Sequence, residues 1–223
     1  MENIEVTIFP KEKSPKLFKN RFLEYLTKTH PLVIDAMYLV IGTFLITVYY
    51  TNYSTNIAEI SIAFIIGFFT WTLAEYCMHR FLYHSVKDAS FSTGIHYLFH
   101  GIHHEFPNDK DRIVLPPVPS LLFAAVFFGL FYLIMGKYAF VFGPGFLIGY
   151  VAYMNVHYIV HKVDMPKKFN FWWRFHNIHH FQQHDRAFGV TSSLWDHVFR
   201  TMPEKNRKTV VIKVGKDHPE HPH

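Results

Sequence analysis

Residues 57–84 read IAEISIAFIIGFFTWTLAEYCMHRFLYH. A mostly apolar run, 57–77, passes without a break into two histidines, His79 and His84. About 20 such residues are enough to span a hydrocarbon core. The stretch therefore predicts a transmembrane helix whose far end carries metal-ligand side chains. Its carboxylates, Glu59 and Glu75, sit near the two ends, where charge is tolerable.

Working outward, residues 31–50 (PLVIDAMYLVIGTFLITVYY) form a second apolar run, joined to 57–77 by the uncharged link TNYSTN, as in a helical hairpin. Residues 119–136 and about 139–160 form another apolar pair, with a tight turn expected at Gly136 and Lys137. Gly143-Pro144-Gly145 is expected to kink or frame the start of the fourth run. Four runs of this length leave too little polar sequence to cover them as a soluble core. The predicted fold class is an all-α integral membrane protein, with four transmembrane helices in two hairpins capped by a helical, His-rich dimetal domain.

Four spans put both termini, the loop 78–118 and the segment after 161 on one side. That side holds nearly all the lysine and arginine, whereas the opposite links carry only Lys137. The termini and the metal site are therefore expected to be cytoplasmic. Residues 1–30 carry Lys11, Lys13, Lys16, Lys19, Arg21 and Lys28, with Phe18, Phe22, Leu23 and Leu26 spaced like one face of a helix lying on the bilayer. The membrane-embedded body with its dimetal cap is expected over 31–210, and 211–223 as a polar tail ending in the disordered DHPEHPH. No secretory signal is read at the N-terminus.

The net charge of +5 flanks the apolar runs, which suits a membrane surface rather than nucleic acid. The single cysteine, Cys77, excludes an internal disulfide and any thiolate metal site. The 17 histidines are the unusual feature. They form His79…His84, His96-x3-His100-x2-His103-His104, His157-x3-His161 and His176-x2-His179-His180. Composition alone would produce His-x-x-His-His roughly 0.1 times in this chain; it occurs twice. Residues three or four apart share a helix face, so His100, His103 and His104 project together, as do His176, His179 and His180, and His157 with His161. The five-residue spacing of His79 and His84 does not fit a regular helix. Either the helix ends or distorts there, or the two rings serve different ions.

Ten ligands are too many for one ion and suit two with five each. His96 and His184 extend the helical stripes and are expected to support ligating rings, as are Asp164, Asp185 and Asp196. His218, His221 and His223 read as solvated. Neutral imidazole accepts several metals; an O2-activating iron pair suits the placement under a hydrophobic bundle, and zinc is an expected substitute during purification.

This series resembles the integral-membrane fatty acid hydroxylase and sterol desaturase superfamily over about residues 70–202. HRFLYH, HYLFHGIHH, DRIVLPPVP and FGVTSSLWDHVFRT look most like the fatty acid 2-hydroxylases, which act on ceramide acyl chains. The resemblance implies ten ligands: His79, His84, His100, His103, His104, His157, His161, His176, His179 and His180. It also implies two irons, O2 as co-substrate and hydroxylation at C2 of a long acyl chain. No haem-binding His-Pro-Gly-Gly segment is present, so electrons are expected from a separate cytochrome b5- or ferredoxin-like donor. Phe68, Phe69, Trp71 and Phe123 are expected to line the acyl channel, and Arg112 and Lys110 to meet a polar head group. A sterol or carotenoid hydroxylase, a lipid desaturase and a membrane metal transporter are the competing readings. A transporter would place ionisable groups at mid-membrane, and here the histidines cluster at one end of the spans.

Overall fold

The computed structural model describes residues 4–9, 13–84 and 100–215. Its helices are α1 (Arg21–Tyr25), α2 (Pro31–Asn52), α3 (Ile57–Cys77), α4 (Ile102–Glu105), α5 (Pro117–Met135), α6 (Ala139–Lys162), α7 (Phe171–Phe181) and α8 (Leu194–Val198). Strands β1 (Ile4–Ile8) and β2 (Val210–Val214) complete the order. Three stretches are long and apolar enough to cross a membrane: Pro31–Asn52, Ile57–Tyr83 and Pro117–Lys162. The last is broken by the 3-10 turn Gly136–Tyr138, which begins at a glycine with φ of 55°. That left-handed conformation strains an L side chain, so glycine is the residue that can stop α5 there.

Local chemistry explains the boundaries. Pro31 opens α2, where a missing N–H costs nothing. The Asn56 side chain accepts from the Ala58 and Glu59 amides and caps α3. Tyr49, at the end of α2, donates to Glu59 Oε1 at 2.6 Å and closes the first hairpin. Phe127 meets Phe146 and Phe131 meets Phe142, so α5 and α6 run antiparallel.

The centre of the bundle is the packing of α6 against α2 and α3. Ile34, Tyr38, Leu147 and Met154 form one buried cluster. A Cβ at Gly145 would lie 1.9 Å from the Phe64 carbonyl oxygen, so α3 and α6 approach at a distance that only glycine allows. Neighbours pair as Phe64 with Gly145 and Trp71 with Gly149, so the two helices run parallel and deliver His79 and His157 to the same end. The helix continues through Pro144, so the Gly-Pro-Gly segment lies inside α6 rather than framing its start. The outer faces stay apolar: Leu133 is 82% exposed and Val40 69%. Such surface suits hydrocarbon rather than water.

Two expectations need correction. The fold is not entirely helical, because β1 and β2 pair in parallel, Ile4 with Val210 through Ile8 with Val214. The alternation IEVTI and VVIKV is strand-like but too short to stand out beside four apolar helices. The sheet joins the two ends of the described chain, so residues 211–214 of the expected polar tail lie in a strand. The helix expected to carry Phe18, Phe22, Leu23 and Leu26 on one face is also shorter than that set. Among the described residues of the segment only Arg21–Tyr25 is helical, and buried Glu24 accepts from the Leu17 and Phe18 amides. That carboxylate turns the chain before the helix can extend.

Candidate metal centre

The segment after α3, Met78–Tyr83, winds as a π-helix. The His84 amide donates to the His79 carbonyl at 3.1 Å, five residues back. An i→i+5 turn stacks residues five apart, so the awkward spacing of His79 and His84 becomes a shared face. Distortion of the helix, rather than service to different ions, is the observed solution: both rings belong to one group.

The ten sequence-identified histidines assemble as two groups of five. One comprises His79, His84, His100, His104 and His179; the other His103, His157, His161, His176 and His180. Within each group one candidate ligand atom per residue lies within 4.8 Å of all the others. Each His-x-x-His-His motif is split. Its i,i+4 pair enters one group and the middle histidine enters the other. This division sends His100 and His104 one way and His103 the other, and likewise His176 and His180 against His179. The groups abut where His104 stacks on His180 at 4.0 Å between centroids.

The nitrogens are arranged for cations. His79 Nε2 stands 3.2 Å from His100 Nε2, His104 Nε2 2.8 Å from His100 Nε2, and His84 Nε2 2.9 Å from His179 Nε2. In the second group, His161 Nε2 lies 3.0 Å from His103 Nε2 and 2.7 Å from His176 Nε2. Two imidazoles at right angles about one ion, at a bond length of about 2.0–2.1 Å, would stand roughly 2.9 Å apart. His79 Nδ1 and His179 Nδ1 donate to the carbonyls of Phe188 and Arg186, at 2.6 and 2.8 Å. Those bonds leave the Nε2 lone pairs bare and pointing inward. The buried Nε2 atoms of His157 and His180 have no hydrogen-bond partner among the described residues. Bare lone pairs converging in a buried space are costly without a cation to accept them. Burial also holds His84, His100, His103, His104, His176, His179 and His180 well below the usual histidine pKa. Neutral imidazole is the ligating form.

The first group hangs from the loop 186–191. Asp196 accepts from the Phe188 amide at 3.0 Å, the Gly189 amide at 2.9 Å and Thr201 Oγ1 at 2.7 Å. It thus positions His79 one step removed, through the Phe188 carbonyl, rather than by touching a ring. Burial raises its pKa, and the bonds from Thr201, Gly189 and Phe188 pull it back down. Glu75, buried at 3% exposure, holds the same loop by accepting from the Val190 and Thr191 amides at 2.6 and 2.9 Å. A carboxylate one turn before His79 in an apolar run was the available signal for this role. Placing it merely near a membrane edge missed it, because its partners lie more than 100 residues away.

The remaining candidates divide. His184 packs against His104 at 5.0 Å and donates from Nε2 to the His180 carbonyl at 2.7 Å, which supports the cage. Asp185 instead pairs with Arg207 at 2.6 Å, and Asp164 is exposed without a hydrogen bond to any cage histidine. Both are removed from the supporting set. His96, and the tail histidines His218, His221 and His223, lie outside the described residues.

An apolar cavity with about 490 Å³ of empty space, part of it open to the outside, adjoins the cage. Trp71 and Phe123 line it as expected, with Tyr83, Phe127, Leu147 and Tyr153. Tyr83 stacks on His100 and Tyr153 on His157, with centroids 5.1 and 5.7 Å apart, so the cavity wall touches both groups. Phe68 and Phe69 are not in that wall, and Phe69 is 62% exposed on the outer face. Consecutive helical residues point about 100° apart, so a run of phenylalanines cannot all face one channel. Arg112 is buried and pairs with Glu24 at 2.5 Å, whereas Lys110 is exposed.

The sequence profile of the fatty acid hydroxylase family matches residues 64–201. Dihydroceramide fatty acyl 2-hydroxylase FAH2 of Arabidopsis thaliana is 34% identical, the match covering 86% of this chain and 81% of that protein. Ceramide very long chain fatty acid hydroxylase scs7 of Schizosaccharomyces pombe is 39% identical over 84% of this chain, which spans 55% of the yeast protein. The solved structure of full-length scs7p, in which only the hydroxylase domain is visible, superposes with a TM-score of 0.76 at 32% identity, covering 89% of this chain and 75% of that one. A histidine-caged, membrane-type helical bundle with these relatives is an oxidoreductase, and the chain belongs to the fatty acid hydroxylase family.

Proposed function

We propose that this protein places a hydroxyl on C2 of a long acyl chain, carried as a fatty acid or in a ceramide. The single observation that carries the reading is the cage itself: two groups of five histidines abut and share walls with one apolar cavity. The ten histidines would hold two irons, one in each group of five. The irons, with O2 as co-substrate and electrons from a separate donor protein, supply the oxidant that no side chain can provide.

The chain's own residues do the rest. Trp71, Phe123, Phe127 and Leu147 take an acyl tail out of water and lipid. Tyr83 and Tyr153 floor the cavity and hold the chain end against the cage. The Phe188 and Arg186 carbonyls hold ring orientation. The break at Gly136–Tyr138 supports reading Pro117–Lys162 as two spans, hence four in all, with cage and termini on the cytoplasmic side by the positive-charge bias. A metal transporter is disfavoured because the histidines collect at one end of the bundle and nine of the ten are buried.

The test is expression in a host lacking 2-hydroxylated lipids, with an electron donor supplied, followed by lipid mass spectrometry. The expected result is a 2-hydroxyacyl product that disappears in His104→Ala. A desaturated product, a hydroxylated sterol or carotenoid, or unchanged lipids would reject C2 hydroxylation.

A further inference from the structure

The short helix α8 follows the cage in sequence, yet it packs beside the last two turns of α3. Trp195 Nε1 donates to Thr72 Oγ1 at 3.0 Å, and Phe199 stacks on Tyr76 with centroids 5.1 Å apart. Tyr76 OH lies 2.9 Å from Thr201 Oγ1, which secures the far end of the turn. Thr72 stands five residues before Cys77, where α3 ends; that is a rise of about 7.5 Å back along the helix axis. The chain therefore leaves the cage and returns to a level inside the apolar stretch Ile57–Tyr83. An interfacial helix buries its apolar face about 5–10 Å into the boundary between headgroups and acyl chains, which is the level α8 reaches.

The two faces of α8 differ. Leu194 and Val198, one turn apart, are 55% and 57% exposed, and Phe199 beside them is 46% exposed. Asp196, on the opposite face, is fully buried. Exposed apolar surface of this kind marks contact with a protein or a membrane, and the level of α8 against α3 selects the membrane. The rim fits the same partner. Trp172, partly exposed, donates from Nε1 to the Thr191 carbonyl at 3.0 Å, and the Thr191 amide donates to Glu75, so this indole stands at the same level of α3. Tryptophan collects at membrane–water boundaries, where its apolar ring and its one N–H are both satisfied. Arg200, next after Phe199, is exposed, and Arg80 lays its guanidinium 5.0 Å from the centre of the exposed Phe81 ring. Cations at this rim suit anionic headgroups.

We propose that the outer face of α8 is a wedge seated in the leaflet on the cage side of the bilayer, and that its contact with lipid holds the support of the first histidine group in place. The linkage is short. On the buried face Asp196 accepts from the Phe188 and Gly189 amides at 3.0 and 2.9 Å, and the Phe188 carbonyl accepts from His79 Nδ1 at 2.6 Å. A helix of five residues has too few internal hydrogen bonds to hold its own shape. Its place is set by what packs on each side, α3 and the 187–191 loop within and lipid without. Lipid against Leu194 and Val198 keeps Asp196 on the loop, and the loop keeps the His79 ring aimed into its group. Four of the five histidines in the second group come from α6 and α7, helices of 24 and 11 residues, so that group does not depend on the wedge.

The test uses the full-length, iron-loaded protein in nanodiscs of phosphatidylcholine and phosphatidylserine. In a Cys77→Ser background, a nitroxide is attached at Leu194→Cys or Val198→Cys. Its depth is read from the relative access of oxygen and a water-soluble nickel chelate. Val126→Cys, on the exposed face of α5, and Lys208→Cys, beyond the cage, are the references. The labels on α8 are expected about 5–10 Å below the phosphates, between the two references. A depth equal to that at Lys208, as a soluble partner on this face would give, overturns the proposal. A water-like signal at Val126 also overturns it, because the bundle then does not span the bilayer. Coupling is read by chelator titration, with bound metal counted by mass spectrometry. Leu194→Glu should weaken one ion about tenfold and leave the other unchanged. Val198→Ser, a milder change, should act on the same ion, and Leu194→Met, which keeps the face apolar, should match wild type. Unchanged affinity for both ions in Leu194→Glu and Val198→Ser, or equal loss of both, overturns the coupling. These readouts need no substrate, so their failure is distinct from a failure of C2 hydroxylation.

Discussion

Replacing Asp196 should unload one metal ion and leave the other. Its carboxylate receives three hydrogen bonds, from the Phe188 and Gly189 amides and Thr201 Oγ1, at 3.0, 2.9 and 2.7 Å. Thr201 Oγ1 is also 2.9 Å from Tyr76 OH, which accepts from Arg80 at 2.8 Å, so the carboxylate ends a connected chain of donors. Hydrogen bonds to charged groups contribute about 1.5–3 kcal/mol each. Three sharing one acceptor are not additive, so Asp196→Ala is expected to cost roughly 3–5 kcal/mol, near the upper end for single substitutions. The cost falls on the loop whose Phe188 and Arg186 carbonyls hold His79 and His179. Both histidines are in the same five-membered group. Loss of such an outer partner typically weakens a metal site about 10–100-fold. Metal content measured by mass spectrometry across a chelator titration should therefore fall in two steps, with the Asp196→Ala step shifted for one ion only. Asp196→Asn, which presents an amide N–H₂ to a donor, tests the same point with little change of volume. Equal affinity for both ions in either variant, at wild-type levels, would refute the latch.

Other outcomes follow from the same geometry. Glu75→Gln, which holds the neighbouring Val190 and Thr191 amides, should weaken the same ion as Asp196→Ala; chelator titration reads this directly. His84→Ala and His176→Ala fall in different groups, so each should lower the affinity of a different ion, and the double variant should lose both. Gly145→Ala places a Cβ 1.9 Å from the Phe64 carbonyl oxygen. It should lower the thermal midpoint by an amount equivalent to about 1–3 kcal/mol, read by thermal unfolding in detergent. Metal-free protein should be acid-sensitive. Burial depresses the pKa of His100, His104 and His180, among others, so below about pH 6.5 the unfolded chain binds more protons than the folded one. Stability is then present above that pH and is lost as the pH falls, by up to ~1.4 kcal/mol per unit for each such histidine. Thermal unfolding of chelated protein at pH 7.5 and 5.5 checks the sign.

The sequence by itself determined the candidate ligand set, because histidine spacing is a short-range property. His100 with His104, His157 with His161 and His176 with His180 each lie one helical turn apart, and the backbone alone places such rings together. It likewise determined the apolar helices, since their length and composition need no partner to be recognised. Which histidine joins which ion was a different matter. The split of each His-x-x-His-His motif depends on how α4 and α7 face each other, and on a π-turn at His79–His84. The supports were equally hidden. Glu75 meets Val190 and Thr191 across 115 and 116 residues, Arg112 meets Glu24 across 88, and Ile4 pairs with Val210. Aspartates near the motifs in sequence, Asp164 and Asp185, turn out to serve the surface, whereas Asp196 reaches the cage through a carbonyl. Periodicity reports which face a side chain takes on its own helix. What lies opposite that face is set by close packing between segments distant in the chain, here by the glycine seam of α3 and α6 that brings the ends of both helices to one place.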